Sequence, residues 1–226
     1  MNWKEFWNQK SLEGNAQKQV GRLKNGVVMP LQTISLIADD IKQKIDLQAN
    51  DSLLDVCCGN GLLSAELAKY SRHVTAIDFS EMLIHEAKIK HKDSNILFKQ
   101  ADALNLQLDE QFEKIILYFS FQYFDTFQKG FDVIKNLSKH MKPDATILIG
   151  DVPDLAKKDV YYDTFSKKLR LLKQNIFGQN DMGKFWSEAE MNRICQSLGL
   201  KGQFIQQKSE LPFSNYRFDY LIKKQS

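Results

Sequence analysis

The chain has 226 residues, 43% of them hydrophobic and 26% charged, with a formal net charge of +3. That length suits one sizeable core, and the small, dispersed charge lacks the clustered basic face of a dedicated nucleic-acid binder. No uncharged apolar run is long enough to span a bilayer. The three cysteines, Cys57, Cys58 and Cys195, form neither a disulfide framework nor a zinc-ligand spacing, which leads us to expect a reducing cytoplasm and no metal.

The first thirty residues are polar around three aromatic anchors, Trp3, Phe6 and Trp7, with no apolar signal core. They predict a short amphipathic helix and then a loop through Gly14, Gly21 and Gly26. Pro30 suits a helix start, and Leu31, Ile34, Ile37, Ile41 and Ile45 recur with a helical period. Short apolar runs then alternate with helical patterns. Strands are expected at residues 52–56, 74–77, 96–99, 114–118 and 146–149, and helices at 62–70, 81–90 and 128–140. This β-α repetition predicts a Rossmann-like, doubly wound α/β fold, with a mostly parallel sheet and helices on both faces. Lys142-Pro143-Asp144 punctuates the chain before the fifth strand. Beyond Asp151 the texture becomes charged and aromatic, with a helical pattern over 161–172, a loop over 178–183 and a helix opened by Ser187 and ended by Gly199. Two closing strands, 202–207 and 218–222, bring the sheet to seven. No repeat interrupts the chain. We expect one domain: a lid-like segment (1–30), a core (31–150), a partial helical cap (151–200) and closing strands (201–226).

The chemistry concentrates where strands end. Leu53-Leu54-Asp55-Val56 runs into Cys57-Cys58-Gly59-Asn60-Gly61 and then a helix. Gly59 and Gly61 permit positive φ and close backbone approach, and the helix points free N–H groups at a ligand. A dinucleotide site uses the same device, but the third glycine of G-x-G-x-x-G is replaced by Ser64, and Asp55 would face a pyrophosphate with like charge. A carboxylate at Asp55 suits a cationic amino group instead. Asp78 ends the second strand, where an acid can accept hydrogen bonds from both ribose hydroxyls. Asp102 lies past the third, suited to an adenine edge. Each acid alone could simply cap the next helix; three on one sheet edge beside a glycine turn favour ligand binding.

These residues resemble the class I S-adenosylmethionine-dependent methyltransferases, small-molecule branch. The likeness rests on Asp55-Val56-Cys57-Cys58-Gly59-Asn60-Gly61, on Asp78-Phe79-Ser80-Glu81-Met82-Leu83, on Ala101-Asp102-Ala103, and on Phe112–Tyr118 followed by Gln122-Tyr123-Phe124. One departure stands out: the first glycine of the family's turn is Cys57, where a Cβ narrows the space beside the methionine part of the cofactor.

The resemblance implies S-adenosyl-L-methionine as cofactor. Asp55 and the Cys57–Gly61 backbone would hold its methionine end, Asp78 its ribose, Phe79 and Met82 the adenine faces, Asp102 and Ala103 the adenine edge, and Tyr118 and Phe119 the sulfonium, a cation that gains from a π face. Methyl transfer to an oxygen or nitrogen of a small molecule follows as the expected activity. A base, if one is used, would be Asp151 or Tyr123, and Arg217 and Trp186 would meet the acceptor. The stretches Ile149-Gly150-Asp151-Val152-Pro153-Asp154 and Asn215-Tyr216-Arg217-Phe218-Asp219 resemble methyltransferases encoded among bacterial surface-polysaccharide genes, which implies a sugar or sugar-nucleotide acceptor. The rival readings are a nicotinamide-dependent oxidoreductase, disfavoured by Asp55, and a non-catalytic cofactor-binding subunit. We expect no nucleic-acid or membrane partner, and a monomer or homodimer; Trp3, Phe6 and Trp7 would cover the acceptor pocket or pack between subunits.

Overall fold

The computed structural model describes every residue except 1, 25, 93, 178–181 and 226, so the predicted loop over 178–183 lies mostly outside the described residues. In chain order the elements are α1 (Trp3–Lys10), α2 (Ala16–Gln19), β1 (Leu23–Lys24), β2 (Val27–Val28), α3 (Gln32–Ile45), β3 (Ser52–Val56), α4 (Leu62–Leu67), β4 (His73–Asp78), α5 (Glu81–Lys90), β5 (Ile96–Gln100), β6 (Phe112–Tyr118), α6 (Phe127–Lys139), β7 (Met141–Pro153), α7 (Lys158–Tyr161), α8 (Phe165–Phe177), α9 (Glu188–Ser197), β8 (Leu200–Gln206) and β9 (Arg217–Lys224).

A seven-stranded sheet runs in the order β5-β4-β3-β6-β7-β9-β8. The first five strands in that order are parallel, and β9 lies antiparallel between β7 and β8. Every residue of β3 is buried, as a central strand covered on both faces requires. Ile34, Ile37, Ile41, Leu67 and Ile84 of α3, α4 and α5 cover one face. Val133, Ile134, Leu137, Met191 and Ile194 of α6 and α9 cover the other. A smaller apolar cluster in the cap joins Tyr162, Met182, Phe185 and Tyr216.

Three sequence expectations shift. Leu31 is 64% exposed and precedes α3 rather than joining its buried stripe. The loop after α1 contains α2 and the β1–β2 hairpin. The helical pattern over 161–172 divides into α7 and α8, with the Thr164 hydroxyl accepting from the Lys167 N–H at the start of the second. β7 is also far longer than its predicted core. It absorbs Pro143 through an irregularity in its pairing with β6 and continues past Ile149 into a bulge against β9.

Candidate functional site

The chain leaves β3 in two directions, to β4 and β5 on one side and to β6 and β7 on the other. A crevice therefore opens over the carboxyl ends of β3 and β6, where open α/β sheets bind ligands. It holds a cavity of about 1070 Å³. Three strand ends enter it through non-glycine residues with positive φ: Cys57 after β3 at 61°, Phe119 after β6 at 69°, and Asp151 in β7 at 56°. Such conformations cost of order 1–3 kcal/mol each and persist where surrounding structure holds them. All three residues line the cavity.

At the cofactor end of the expected site, Asp78 Oδ2 accepts the Gly59 N–H and Oδ1 the Ser80 N–H, both at 2.9 Å. Burial pushes its carboxyl up to about 6, with those backbone donors pulling the other way. Asp78, Phe79, Asp102, Ala103 and Asn60 share the wall with Cys57. Asp102 Oδ1 also accepts the Leu104 N–H at 2.9 Å, so it caps the short turn Ala103–Asn105 while facing the cavity. Burial raises the Cys57 thiol well above its ordinary range, with Asp78, Asp55 and Asp102 adding to the effect. This side chain is a packed thiol rather than a reactive thiolate.

Several expected residues stand elsewhere. Asp55 lies behind the wall, accepting the Ser64 hydroxyl at 2.6 Å. Burial pushes its carboxyl up to about 7, with Ser64 and Arg22 opposing and Asp78 reinforcing. Gly59 and Gly61 shape the turn without facing the cavity. Met82 is off the wall and 41% exposed on α5. Tyr118 is buried behind Phe119, edge-on to its ring at 4.6 Å. Trp186 is fully buried in the core, its ring 4.7 Å from that of Phe121 and its edge filling the space left by Gly130. It therefore presents no surface to an acceptor.

The other half of the cavity is aromatic and cationic. Tyr123 packs against Trp3 at 4.4 Å and Trp7 at 5.7 Å between ring centroids, so α1 adds two indoles to the cavity wall. Asn8 fixes this helix by accepting the Ser80 hydroxyl at 2.6 Å. Asp151 is not a free carboxylate: Oδ2 meets Arg217 Nη1 at 2.9 Å and Oδ1 meets Gln207 Nε2 at 3.3 Å. Its N–H donates to Asp219 Oδ1 at 2.7 Å, and Lys44 Nζ meets the other Asp219 oxygen at 2.6 Å. A buried chain of charges thus runs from α3 through β9 to the cavity, and the base role expected of Asp151 gives way to that of an anchored partner for Arg217. Arg22, which sequence reasoning missed, puts its guanidinium 3.1 Å above the Phe119 ring. Burial lowers its pKa to about 10, opposed chiefly by Asp151. No motif marks Arg22, Gln207 or Lys44, which tertiary packing alone brings to the site; Asp219 belongs to the 215–219 stretch, but nothing in that stretch marks its role in this network. Among the described residues no group of side chains could hold a metal ion, and no helix is long and apolar enough to cross a membrane.

Residues 53–144 match the family model described as "Methyltransferase domain". The chain is 29% identical over 153 residues to the malonyl-[acyl-carrier protein] O-methyltransferase of Bacillus anthracis, covering 66% of this chain and 55% of that protein. It is 29% identical over 180 residues to the ubiquinone biosynthesis O-methyltransferase of Coxiella burnetii, covering 78% of this chain and 74% of that one. It thus spans little more than half the length of the first of these relatives. The fold matches that of the N-methyltransferase NodS from Bradyrhizobium japonicum, solved in complex with S-adenosyl-L-homocysteine, over the whole of both chains with a TM-score of 0.69 at 16% identity. Fold, family match and relatives agree on one class. Together the match over residues 53–144, the relatives and the fold support a class I S-adenosylmethionine-dependent methyltransferase domain.

Proposed function

We propose that this protein transfers the methyl group of S-adenosyl-L-methionine to an oxygen or nitrogen of a small molecule. The observation that carries this reading is the switch-point cavity, with acids from β4 and the segment after β5 at one end and an aromatic, arginine-bearing chamber at the other. Asp78 and Asp102 would take the ribose and the adenine edge. The Cys57–Gly61 turn and the α4 N-terminus would take the methionine part; the Phe119 ring, expected to face the sulfonium, has a face taken by Arg22. Asp55, from behind the turn, would act through its field on the cofactor's ammonium group. The cofactor, when bound, supplies the activated methyl. The protein's part is to align the acceptor and exclude water, which the indoles of Trp3 and Trp7 against Tyr123 support. A neutral amine or an already ionised oxygen needs no base, in keeping with the engaged oxygens of Asp151. The aromatic walls suit a ring-bearing acceptor, whether an arene or the apolar face of a sugar.

The test is titration calorimetry with S-adenosylhomocysteine. Asp78→Ala should weaken binding by about 1.5–3 kcal/mol for the charge-assisted hydrogen bond lost. Unchanged affinity would remove the ribose assignment.

A further inference from the structure

Arg217 opens β9, lines the cavity, and is only 6% exposed. One of its terminal nitrogens is fully used: Nη1 donates to the Asp151 carbonyl oxygen at 2.6 Å and to Oδ2 at 2.9 Å. The other, Nη2, meets the thioether of Met182 at 3.8 Å, a weak acceptor. Nε is buried and has no hydrogen-bond partner within 3.5 Å among the described residues, the Tyr216 hydroxyl interacting with the guanidinium as a whole. In a guanidinium, Nε–H and one Nη2–H point the same way. The under-used donors therefore form a single side-on edge, a fork whose spacing matches two carboxylate oxygens. A buried donor left unpaired costs about 1–3 kcal/mol, so this edge is built for an acceptor that arrives with the ligand.

Its surroundings describe that ligand. The Phe213 and Tyr216 ring centroids lie 5.4 and 5.3 Å from the Arg217 guanidinium carbon. Tyr161 packs on Tyr216 at 5.1 Å, and all three rings line the cavity. Arg22 faces the same chamber from above Phe119. Asp151 offsets one of the two guanidinium charges, and Lys167 is paired with Asp163 at 2.9 Å. Arg22 thus adds a second guanidinium to this chamber, which favours an anionic ligand over a neutral one.

We propose that the Nε–Nη2 edge of Arg217 is the acceptor subsite for a carboxylate, borne on a ring that lies against Phe213 and Tyr216. This rests on the methyltransferase reading and narrows its acceptor to ring-bearing carboxylates.

The test titrates the protein, with and without S-adenosylhomocysteine, with benzoate and glucuronate, with their carboxamides, and with phenyl phosphate. At least one acid should bind tenfold or more tightly than its amide. Arg217→Lys, which keeps the charge opposite Asp151 but loses the fork, should abolish that preference while leaving S-adenosylhomocysteine affinity unchanged. Equal binding of acid and amide, no binding of either acid, or tighter binding of phenyl phosphate than of both acids would overturn the subsite. So would an acid–amide preference that survives Arg217→Lys. If the variant fails to fold, the wild-type acid–amide comparison decides alone. A protein that prefers the acid but binds no S-adenosylhomocysteine would keep the subsite and lose the methyltransferase reading.

Discussion

Cys57 turns out of β3 with φ of 61°, a conformation that costs a residue bearing Cβ about 1–2 kcal/mol. Glycine would adopt it freely but would lose more chain entropy on folding. Cys57→Gly should therefore stabilise the cofactor-free protein by about 0.5–1 kcal/mol, read by urea unfolding, and should not weaken S-adenosylhomocysteine binding. Asp55 sets a pH dependence of the opposite kind from a surface acid. Burial raises its carboxyl from 3.8 to about 7, so between those values the folded protein keeps a proton that the unfolded chain has released. Stability is then full below pH 3.8 with respect to this group and falls as pH rises toward 7, by at most about 1.4 kcal/mol per unit. Asp78, raised to about 6, acts in the same direction. Asp55→Asn should flatten the thermal-melting profile of the cofactor-free protein between pH 4 and 7, and a slope equal to wild type would exclude Asp55 as its source.

At the scale of elements, the N-terminal segment is fitted to the glycine turn. A Cβ on Gly59 would stand 2.6 Å from Val20 Cγ1, and its φ is 58°. Asn60 reaches the same segment, donating to the Ala16 carbonyl at 2.7 Å and to Gln19 Oε1 at 2.8 Å. Gly59→Ala should lift this segment from the turn, weaken S-adenosylhomocysteine binding tenfold or more, and raise proteolytic cleavage ahead of α3. At the α3 end of the site, Lys44 joins Asp40 and Asp219, both buried. Burial works against the Lys44 charge, and Asp219 outweighs it and raises its pKa. Lys44→Met would leave two acids without their shared cation and should cost about 3–5 kcal/mol in denaturant unfolding; a cost under 1 would show the network to be solvent-screened. The strand ends bearing Asp55, Asp78 and Asp102 were legible because period-2 and period-3.6 patterns alternate cleanly there. Neither the charge network nor Arg22 was, since each depends on side chains far apart in sequence meeting across β7 and β6. Trp186 misled for a related reason. Sequence places an aromatic in the cap, and only the gap at Gly130 shows that it points into the core.

At the scale of the molecule, one cavity at the switch point receives contributions from the N-terminal segment, the ends of β3, β4, β5, β6 and β7, and the cap. A mostly parallel, seven-stranded sheet follows from the alternating strand and helix patterns plus two closing strands, whereas the strand order and the antiparallel β9 come from the structure. The placement of Asp78 and Asp102 on the cavity wall was legible from their spacing at strand ends. The chamber around Arg217 depends on the bulge that turns Asp151 inward against Asp219, which no local pattern announces. The central claim is that this cavity holds a sulfonium nucleoside rather than a dinucleotide. Isothermal titration of the purified chain with S-adenosylhomocysteine and, separately, with NADH tests it most directly. We expect one micromolar site for S-adenosylhomocysteine and no heat from NADH; saturable NADH binding with none of S-adenosylhomocysteine would make the cavity a dinucleotide site.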